Sequence, residues 1–202
     1  MGERGTYAKG DAKRQEILDA ALRLVEEKGY AAVTLREIAA ETNLTKNGLL
    51  HHFTSRDEIF VGVLRRRDDL ARTRYAGLSH APIGVVDHLG QLSGMPGLAE
   101  IYGRLSVEAA RTDHPAHAYF AERYDAVRAA FREMFERSQR AGELRPGLDP
   151  EMCATLLMSS TEGLQIQWLY DPSIDLEGHI TSFFALCGVN VTTSQLPAAI
   201  WS

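Results

Sequence analysis

The sequence predicts an all-α fold, and three observations support this expectation. Apolar residues recur every three or four positions along most of the chain, which is the spacing of one face of a helix. No stretch alternates apolar and polar residues over enough positions to indicate a strand. Residues that cap helices, such as Thr34 three positions before Glu37 and Asp149 directly before Pro150, precede several of the apolar runs.

The first two helices are predicted near the N-terminus. One should run from about residue 12 to residue 27, and Gly29 stands where a left-handed residue would end it. Thr34 and Glu37 form a capping box, in which the hydroxyl accepts a free N–H of the first turn and the carboxylate accepts the N–H of the cap residue. A short second helix is therefore expected over about residues 35–42.

A third and a fourth helix should follow after a tight turn. Thr45 is a suitable N-cap for a third helix that reaches about residues 52–53. Ser55 and Glu58 indicate a second capping box, which begins a fourth helix that continues to about Tyr75. The fourth helix is long enough to connect two structural bodies.

Five more helices are expected in the rest of the chain. Glycine and proline interrupt residues 77–97, with one short helix inside this segment. A cap residue followed by proline begins two later helices, at Pro115 and Pro150, and glycine ends two, at Gly142 and Gly188. The five helices are predicted at about 83–92, 98–110, 115–141, 150–170 and 176–187.

Composition excludes several classes of protein. Apolar residues make up 45% of the chain and charged residues 24%, so the sequence is not typical of disordered, collagen-like or membrane proteins. Cys153 and Cys187 lie within apolar helical patterns and are interpreted as packing residues. The first ten residues lack the apolar run of a signal peptide, and no later run is long enough to span a bilayer. We therefore expect a cytoplasmic protein, and the sequence indicates no cofactor or metal.

The charge distribution matters for any interaction with a polyanion, because the net charge is −5. Residues 1–57 contain nine Lys and Arg and nine Asp and Glu, so the whole deficit lies in residues 58–202. Phosphate binding by the first part would therefore depend on which face carries Arg36, Lys46 and Arg56, and not on the overall charge.

The second and third predicted helices carry the most specific motif. Two short helices joined by a tight turn and supported by a preceding helix are typical of a helix-turn-helix, whose second helix enters the major groove of DNA. Residues 34–59 read TLREIAAETNLTKNGLLHHFTSRDEI. This string resembles the DNA-binding signature of the tetracycline-repressor (TetR) family, in which a T-x-R-x-[IL]-A helix is followed by a G-V-[ST] turn, a recognition helix ending in H-F, and S-K-x-x-[LI]. The matching positions are Thr34, Arg36, Ile38, Ala39, Thr45, Lys46, Gly48, Leu49, His52, Phe53, Ser55 and Ile59.

The resemblance implies an architecture and a function. The resemblance extends to individual residues over about residues 12–60, whereas beyond them only the helical architecture is similar. It implies a helix-turn-helix DNA-binding domain over residues 10–57, joined by a long helix to an effector-binding and dimerisation domain over residues 58–190, with a tail of unpredicted structure at 191–202. The function it implies is a sequence-specific transcription regulator, more often a repressor than an activator, that leaves a palindromic operator when a small molecule binds.

Several residues of the string are suited to phosphate. Thr34 offers a hydroxyl and backbone N–H groups at a helix N-terminus, and Arg56 adds an ionic contact. The family has a tyrosine near the end of the recognition helix, where this chain has Leu50 and His51, so His51 would replace the missing hydroxyl as a donor. His52 is either a structural residue near the turn or a further phosphate contact.

Other residues are suited to base edges. Arginine and lysine prefer guanine O6 and N7, and asparagine prefers adenine N6 and N7, so Arg36, Lys46 and Asn47 are candidates for direct reading. The resemblance places Thr45, Lys46, Asn47 and Gly48 at the leading edge of the recognition helix, where Gly48 would permit a close approach to DNA.

Beyond the motif, the resemblance implies an effector cavity and a dimer. It places the dimerising helices at about residues 150–170 and 175–188, and two-fold symmetry would double the bases read by one short helix. We expect an apolar or amphipathic effector held by aromatic walls and a few polar groups, although plain core packing explains the same residues equally well. The candidate pocket residues are Tyr102, Leu105, Glu108, Tyr124, Val127, Phe131, Gln165 and Trp168.

Two alternative functions remain open at this point. A helical-bundle metalloenzyme normally requires paired Glu-x-x-His motifs, which the chain lacks, as it lacks a G-x-S-x-G elbow or a P-loop. The candidate ligands of such an enzyme are His114, His117, Glu108 and Glu162. A ligand- or partner-binding module without DNA affinity fits the neutral N-terminal part, but the cations and hydroxyls of residues 34–56 argue against it.

Overall fold

The structure is a computed structural model that describes the backbone of residues 3–75 and 81–191, and the side chains of these residues from Gly10 onward. Within these ranges it contains helices and no strand, as predicted, and no helix there is long and apolar enough to cross a membrane. The predicted tail lies outside the described residues except for its first residue. Compared with the predicted limits, α1 begins earlier and α3 ends earlier. The helices are α1 (Glu3–Lys28), α2 (Leu35–Glu41), α3 (Lys46–Leu50), α4 (Arg56–Arg74), α5 (Pro82–Leu92), α6 (Pro96–Glu108), α7 (His117–Arg140), α8 (Pro150–Tyr170) and α9 (Leu176–Cys187), with an unpredicted 3₁₀ turn at Tyr30–Ala32.

Capping residues set several helix limits, as the sequence predicted. The N–H of Glu37 donates to Thr34 Oγ1 at 3.3 Å, and the N–H of Thr34 donates to Glu37 Oε2 at 2.9 Å, so the capping box of α2 is complete. Asp149 and Asp175 cap α8 and α9 by accepting backbone N–H groups of the first turn. Gly188 ends α9 in the left-handed conformation, with φ 87°.

The cap of α4 differs from the prediction. The N–H of Glu58 donates to Ser55 Oγ at 3.1 Å, as expected. The carboxylate of Glu58, however, accepts the N–H and the hydroxyl of Thr54, at 2.6 and 2.7 Å. The predicted second capping box is therefore wrong in its second half, because Thr54 offers the carboxylate two donors at once.

The start of α7 also differs from the prediction. The helix begins at His117 and not at Pro115. The ring nitrogen Nδ1 of His114 accepts the N–H of Ala116 at 3.1 Å. This side-chain bond competes with the helical pattern and holds the preceding residues in a turn.

The described residues form two compact units. Unit 1 contains the chain up to Asp69 together with Met95–Phe120, and unit 2 contains Leu70–Gly94 and the chain from Ala121 onward. Helix α6 therefore belongs to the same unit as α1, α2 and α3. The functional boundary implied by the resemblance, between residues 57 and 58, stays a prediction.

In unit 1, α6 lies directly against α1. A Cβ added to Gly97 would lie 3.2 Å from the backbone nitrogen of Glu26, so the two helices approach closely at this point. The carboxylate of Glu100 accepts the N–H of Tyr30 at 2.9 Å and joins α6 to the 3₁₀ turn. The surrounding apolar core includes Ile17, Leu18, Ala20, Ala21, Leu24, Ile38, Leu49, Phe53, Ile59 and Phe60.

In unit 2, α9 packs against α5 and α8. The buried ring of Phe184 lies 5.9 Å from that of Phe135 on α7, measured between centroids. The phenol of Tyr75 donates to Asp87 at 2.5 Å, and the amide of Gln91 donates to the same carboxylate at 2.6 Å. Burial, together with this carboxylate, raises the pKa of Tyr75, so the phenol keeps its proton.

The two cysteines agree with their interpretation as packing residues. Cys153 and Cys187 are buried free thiols. Burial raises the pKa of Cys187 to about 11 and also raises that of Cys153. Both groups therefore stay protonated at neutral pH, where a thiol is a poor nucleophile.

We expect Gly188→Ala to lower the free energy of unfolding by about 2–4 kcal/mol. Residue 188 has a left-handed φ of 87°, which is unfavourable for alanine. The new Cβ would also lie 2.8 Å from the carbonyl oxygen of Glu143. Gly147 has the same φ but nothing within 4 Å, so Gly147→Ala should cost only about 1 kcal/mol. Urea unfolding of both variants measures the difference, and equal losses would contradict the close contact.

Candidate nucleic-acid interface

The third helix, α3, is short and fixed at both ends. At its start, the hydroxyl of Thr45 accepts the N–H of Gly48 at 3.0 Å. In the turn before it, Asn43 has φ 53°, a left-handed conformation that asparagine tolerates. At its end, the N–H of His52 donates to the carbonyl three residues back at 2.9 Å. The chain therefore tightens into a 3₁₀-type turn, which is why α3 ends earlier than predicted.

Two cations on α1 hold the ends of α2 and α3. The ammonium of Lys13 donates to the carbonyl of Thr42 at 2.7 Å, just after α2. The guanidinium of Arg14 donates to the carbonyl of His52, and it lies 4.0 Å from the ring centroid of Phe53. Positive charge at a helix C-terminus is favourable because the last carbonyls carry partial negative charge. Sequence reasoning missed this role, because nothing local marks which carbonyls a long side chain will reach.

The predicted base-reading side chains face solvent. Arg36, Lys46 and Asn47 are exposed, as is His51 at the end of α3. Throughout the described residues, none of these four side chains makes a hydrogen bond or an ion pair. The helix therefore presents polar groups that the fold itself does not use.

Thr34 has a structural task in addition to its predicted one. Its hydroxyl donates to Glu37 Oε2 at 2.9 Å, and Lys28 Nζ lies 2.9 Å from the other oxygen of this carboxylate. These hydrogen bonds, from Lys28 first and then from Thr34, lower the pKa of Glu37 to about 2. The start of α2 is therefore fixed by a carboxylate that stays ionised.

The capping box predicts a pH effect on stability. Because the pKa of Glu37 is lower in the folded than in the unfolded chain, its stabilisation is present above about pH 4.5 and is lost as the pH falls toward 2. Glu37→Gln should therefore be less stable than the wild type at pH 7 and equally stable near pH 2. Urea midpoints between pH 7 and pH 2 measure this, with exposed Glu27→Gln as control. A difference that does not change with pH would contradict the assignment.

Arg56 lies within the fold of the domain. Its Nε donates to the carbonyl of Val33 at 2.9 Å, and another guanidinium nitrogen donates to the carbonyl of Tyr30. The guanidinium also lies 4.1 Å from the ring centroid of Tyr30 and 4.7 Å from that of Phe60. Arg56 therefore links the start of α4 to the turn before α2, a role that the sequence did not reveal.

Three other predicted interface residues are half-buried and contribute to the structure of the motif itself. Gly48 is half-buried, and a Cβ there would lie 3.4 Å from Thr45 Oγ1. Leu50 and His52 are half-buried, and the carbonyl of His52 is the one that Arg14 binds.

The predicted pocket residues fall in both units. In unit 1, Tyr102 and Leu105 are buried and Glu108 is exposed. In unit 2, Gln165 and Trp168 are buried, and Tyr124, Val127 and Phe131 are half-buried.

The candidate metal ligands have other tasks or stand apart. His114 Nε2 lies 3.4 Å from Asp57 Oδ2, and the ring of His117 lies 2.8 Å from the carbonyl oxygen of Ala109. Among the described residues, no group of three or more His, Cys, Asp or Glu side chains is placed to hold a metal ion.

The geometry of unit 1 defines a class of protein. Two short helices, α2 and α3, are joined by a tight turn and bound to α1. Helix α3 presents polar side chains that make no hydrogen bond or ion pair among the residues that the structure describes. This is the arrangement of a helix-turn-helix DNA-binding protein. Residues 17–63 match the family model of bacterial regulatory proteins of the tetR family, and residues 106–180 match the model of the C-terminal part of BetI-type transcriptional repressors. The chain belongs to the TetR family, and it is a DNA-binding transcription regulator and not an enzyme.

Two curated relatives are named as transcriptional repressors. The chain is 27% identical over 154 residues to the HTH-type transcriptional repressor AcnR of Corynebacterium glutamicum, covering 74% of this chain and 78% of that protein. It is 23% identical over 164 residues to the HTH-type transcriptional repressor KstR2 of Mycobacterium tuberculosis, covering 78% and 82%.

Solved structures share the fold. A complex of SmeT with triclosan has a TM-score of 0.68 at 20% identity, covering 87% of this chain and 90% of that one. The regulator FadR of Bacillus subtilis in complex with stearoyl-CoA has a TM-score of 0.69 at 16% identity, covering 88% and 99%.

Proposed function

We propose that the chain is a one-component repressor that occupies a palindromic operator as a homodimer and leaves it when a small molecule binds. As a DNA-bound regulator it would act in the cytoplasm. The observation that carries the proposal is the set of exposed side chains on the recognition helix that make no hydrogen bond or ion pair within the described residues. Arg14 binds the C-terminal end of this helix, and Lys13 binds the start of the turn before it. Side chains on a rigid support read bases with little loss of conformational entropy.

Each residue of the interface receives a proposed task. Lys46 would bind guanine and Asn47 adenine from the leading edge of α3, and Arg36 would reach a base or phosphate from α2. Backbone N–H groups near Thr34 and Thr45 would bind phosphate, and His51 would donate a hydrogen bond in place of the tyrosine of the family signature. The same surface would also be lined by Gly48, Leu50 and His52. Any phosphate contact by Arg56 would be secondary to its structural hydrogen bonds.

A largely exposed stripe of apolar and small residues on α8 supports the dimer. Its positions are spaced by four, three, four, three and four residues, as in the seam between two packed helices. A Cβ on Gly163 would have no neighbour within 4 Å outside its own helix backbone, so a second helix can approach closely there. Leu186 on α9 is 67% exposed as well. The stripe consists of Met152, Leu156, Ser159, Gly163, Ile166 and Tyr170, and Tyr170 is 88% exposed.

We expect Leu156→Glu combined with Ile166→Glu to give a monomer at micromolar concentration. Two carboxylates would have to be desolvated in the dimer, and a single recognition helix contacts few bases, so operator affinity should fall at least about a hundredfold. Sedimentation velocity and a DNA titration measure the two effects. Leu70→Glu, the same kind of change at an exposed position of α4, is the control. A variant that remains dimeric would rule out this face.

The effector is proposed to be apolar or amphipathic and to bind within unit 2. The half-buried stripe of Tyr124, Val127 and Phe131 offers an aromatic and aliphatic wall that the unit does not fully cover. Buried Tyr102 and Leu105 are explained by the core of unit 1. The triclosan and stearoyl-CoA complexes of the two structural neighbours are consistent with such a ligand class.

Release from DNA requires a change in the dimer. Successive major-groove faces are about 34–36 Å apart, so the effector-bound dimer must favour a different spacing of its two recognition helices. Within unit 1, the contacts of Gly97 and Glu100 mean that a displacement of α6 would carry α1 and the turn before α2 with it. This makes α6 the proposed element through which the DNA-binding helices are moved.

The test of the proposed function is selection of random duplexes by the purified protein. We expect recovery of one palindromic sequence, bound with an affinity that decreases steeply with salt concentration. No enriched sequence even at low salt would overturn the proposal.

A further inference from the structure

One buried amide in unit 2 has no hydrogen-bond partner. Gln165 on α8 is only 9% exposed, and its Oε1 accepts no hydrogen bond from any group in the described part of the chain. A buried carbonyl oxygen without a donor is unfavourable, and folded proteins seldom leave one without a protein partner or a bound molecule.

The neighbouring groups on the same face of α8 do not supply the missing donor. The hydroxyl of Thr161, one turn earlier, donates to the carbonyl of Met158 at 2.8 Å. Trp168, one turn later, is 7% exposed and presents an aromatic ring on that face. The inner face of α8 thus changes from apolar side chains at residues 153–158 to polar and aromatic ones around Gln165.

Helix α7 is incompletely covered within the same unit. No residue of 121–133 is fully buried, whereas residues 134–135 are. Nε of Arg128 is a second buried polar atom without a hydrogen-bond partner. Arg132 Nη1 lies 3.4 Å from Glu151 Oε2 in the first turn of α8, whereas Gln165 lies in the opposite, C-terminal half of that helix.

We propose that this half of α8 is a ligand subsite, in which Gln165 Oε1 accepts a hydrogen bond from a hydroxyl or N–H group of an uncharged molecule. The apolar body of the ligand packs against Trp168. A cation would find no free buried carboxylate: in the described part of unit 2 the buried carboxylate is Asp87, which Tyr75 and Gln91 already bind. The subsite specifies the chemical class of the proposed effector. Ligand binding at the subsite does not depend on the proposed function, but the release of DNA by that ligand does.

The test compares two probes that differ in a single donor. 2-Naphthol carries an O–H group, and 2-methoxynaphthalene replaces it with a methyl ether of similar shape. Calorimetric titration of the wild-type dimer should give about tenfold tighter binding of 2-naphthol. In Gln165→Leu this preference should disappear, while 2-methoxynaphthalene keeps its affinity. Gln139→Leu, at an exposed position of α7, should retain the preference.

A thermal measurement separates the subsite from a purely structural glutamine. Without ligand, Gln165→Leu should melt at the same temperature as the wild type or about 2–4 °C higher, because it removes an unsatisfied buried group. A lower melting temperature, equal binding of the two probes by the wild type, or no saturable binding of either would overturn the subsite. Operator release is measured separately: donor-dependent binding without release would leave the subsite standing and refute only its role as effector site.

Discussion

Lys46→Ala combined with Asn47→Ala is expected to lower operator affinity at least about a thousandfold without changing stability. Each side chain that pairs well with a base contributes about 1–3 kcal/mol of discrimination, and a dimer loses two in each half-site. Both side chains are exposed and unused by the fold, so the melting temperature should stay within about 1 °C of the wild type. A fluorescence anisotropy titration with the selected operator measures the affinity.

The matched control removes the same chemistry elsewhere. Gln139→Ala combined with Arg140→Ala deletes one amide and one cation at exposed positions of α7. This variant should bind the operator within about twofold of the wild type, because it changes the overall charge but no residue of the interface. Equal affinity of the two double variants would show that α3 does not read the bases.

Arg56→Ala should lower the free energy of unfolding by about 3 kcal/mol and weaken DNA binding as a consequence. The substitution removes hydrogen bonds from a charged donor to the carbonyls of Val33 and Tyr30, each contributing about 1.5–3 kcal/mol before the solvation of a half-buried group is discounted. It also removes the cation–π contacts to Tyr30 and Phe60, at about 0.5–1 kcal/mol each. Arg56→Lys should be intermediate, because an ammonium cannot span both carbonyls.

Urea unfolding and operator titration together distinguish a structural role from a DNA contact. Arg36→Ala is the control: its side chain is exposed, so it should lose operator affinity with a change in stability below about 0.5 kcal/mol. If Arg56→Ala were as stable as the wild type but bound DNA poorly, the direct phosphate contact that the sequence suggested would be its main role.

The helices and their limits could be predicted largely because capping is local chemistry. Thr34 with Glu37, Asp149 before Pro150, and Gly188 act through groups within a few residues, so their effect is visible in the sequence. The exposed side chains of α3 could be predicted for the same reason, since the cap at its start and the apolar spacing fix which residues turn outward.

The side chains that hold the DNA-binding helices in place could not be predicted, because their contacts join distant parts of the chain. Arg14 reaches a carbonyl 38 residues away, and Glu100 reaches an N–H 70 residues away. Arg56 looked like a free cation beside the motif, but its surroundings are aromatic rings and carbonyls that only the fold assembles. The start of α7 was predicted wrongly for a related reason, since His114 bonds to a backbone N–H and lies beside Asp57.

The clamping of α3 has a practical consequence for engineering. The groups that fix α3 and the turn before it are Lys13, Arg14 and the hydroxyl of Thr45. They are distinct from the outward side chains of Lys46, Asn47 and His51. Three positions can therefore be randomised together in a combinatorial library with little risk of misfolded clones. Such a library is a route to orthogonal regulators, each recognising a different artificial promoter in the same cell.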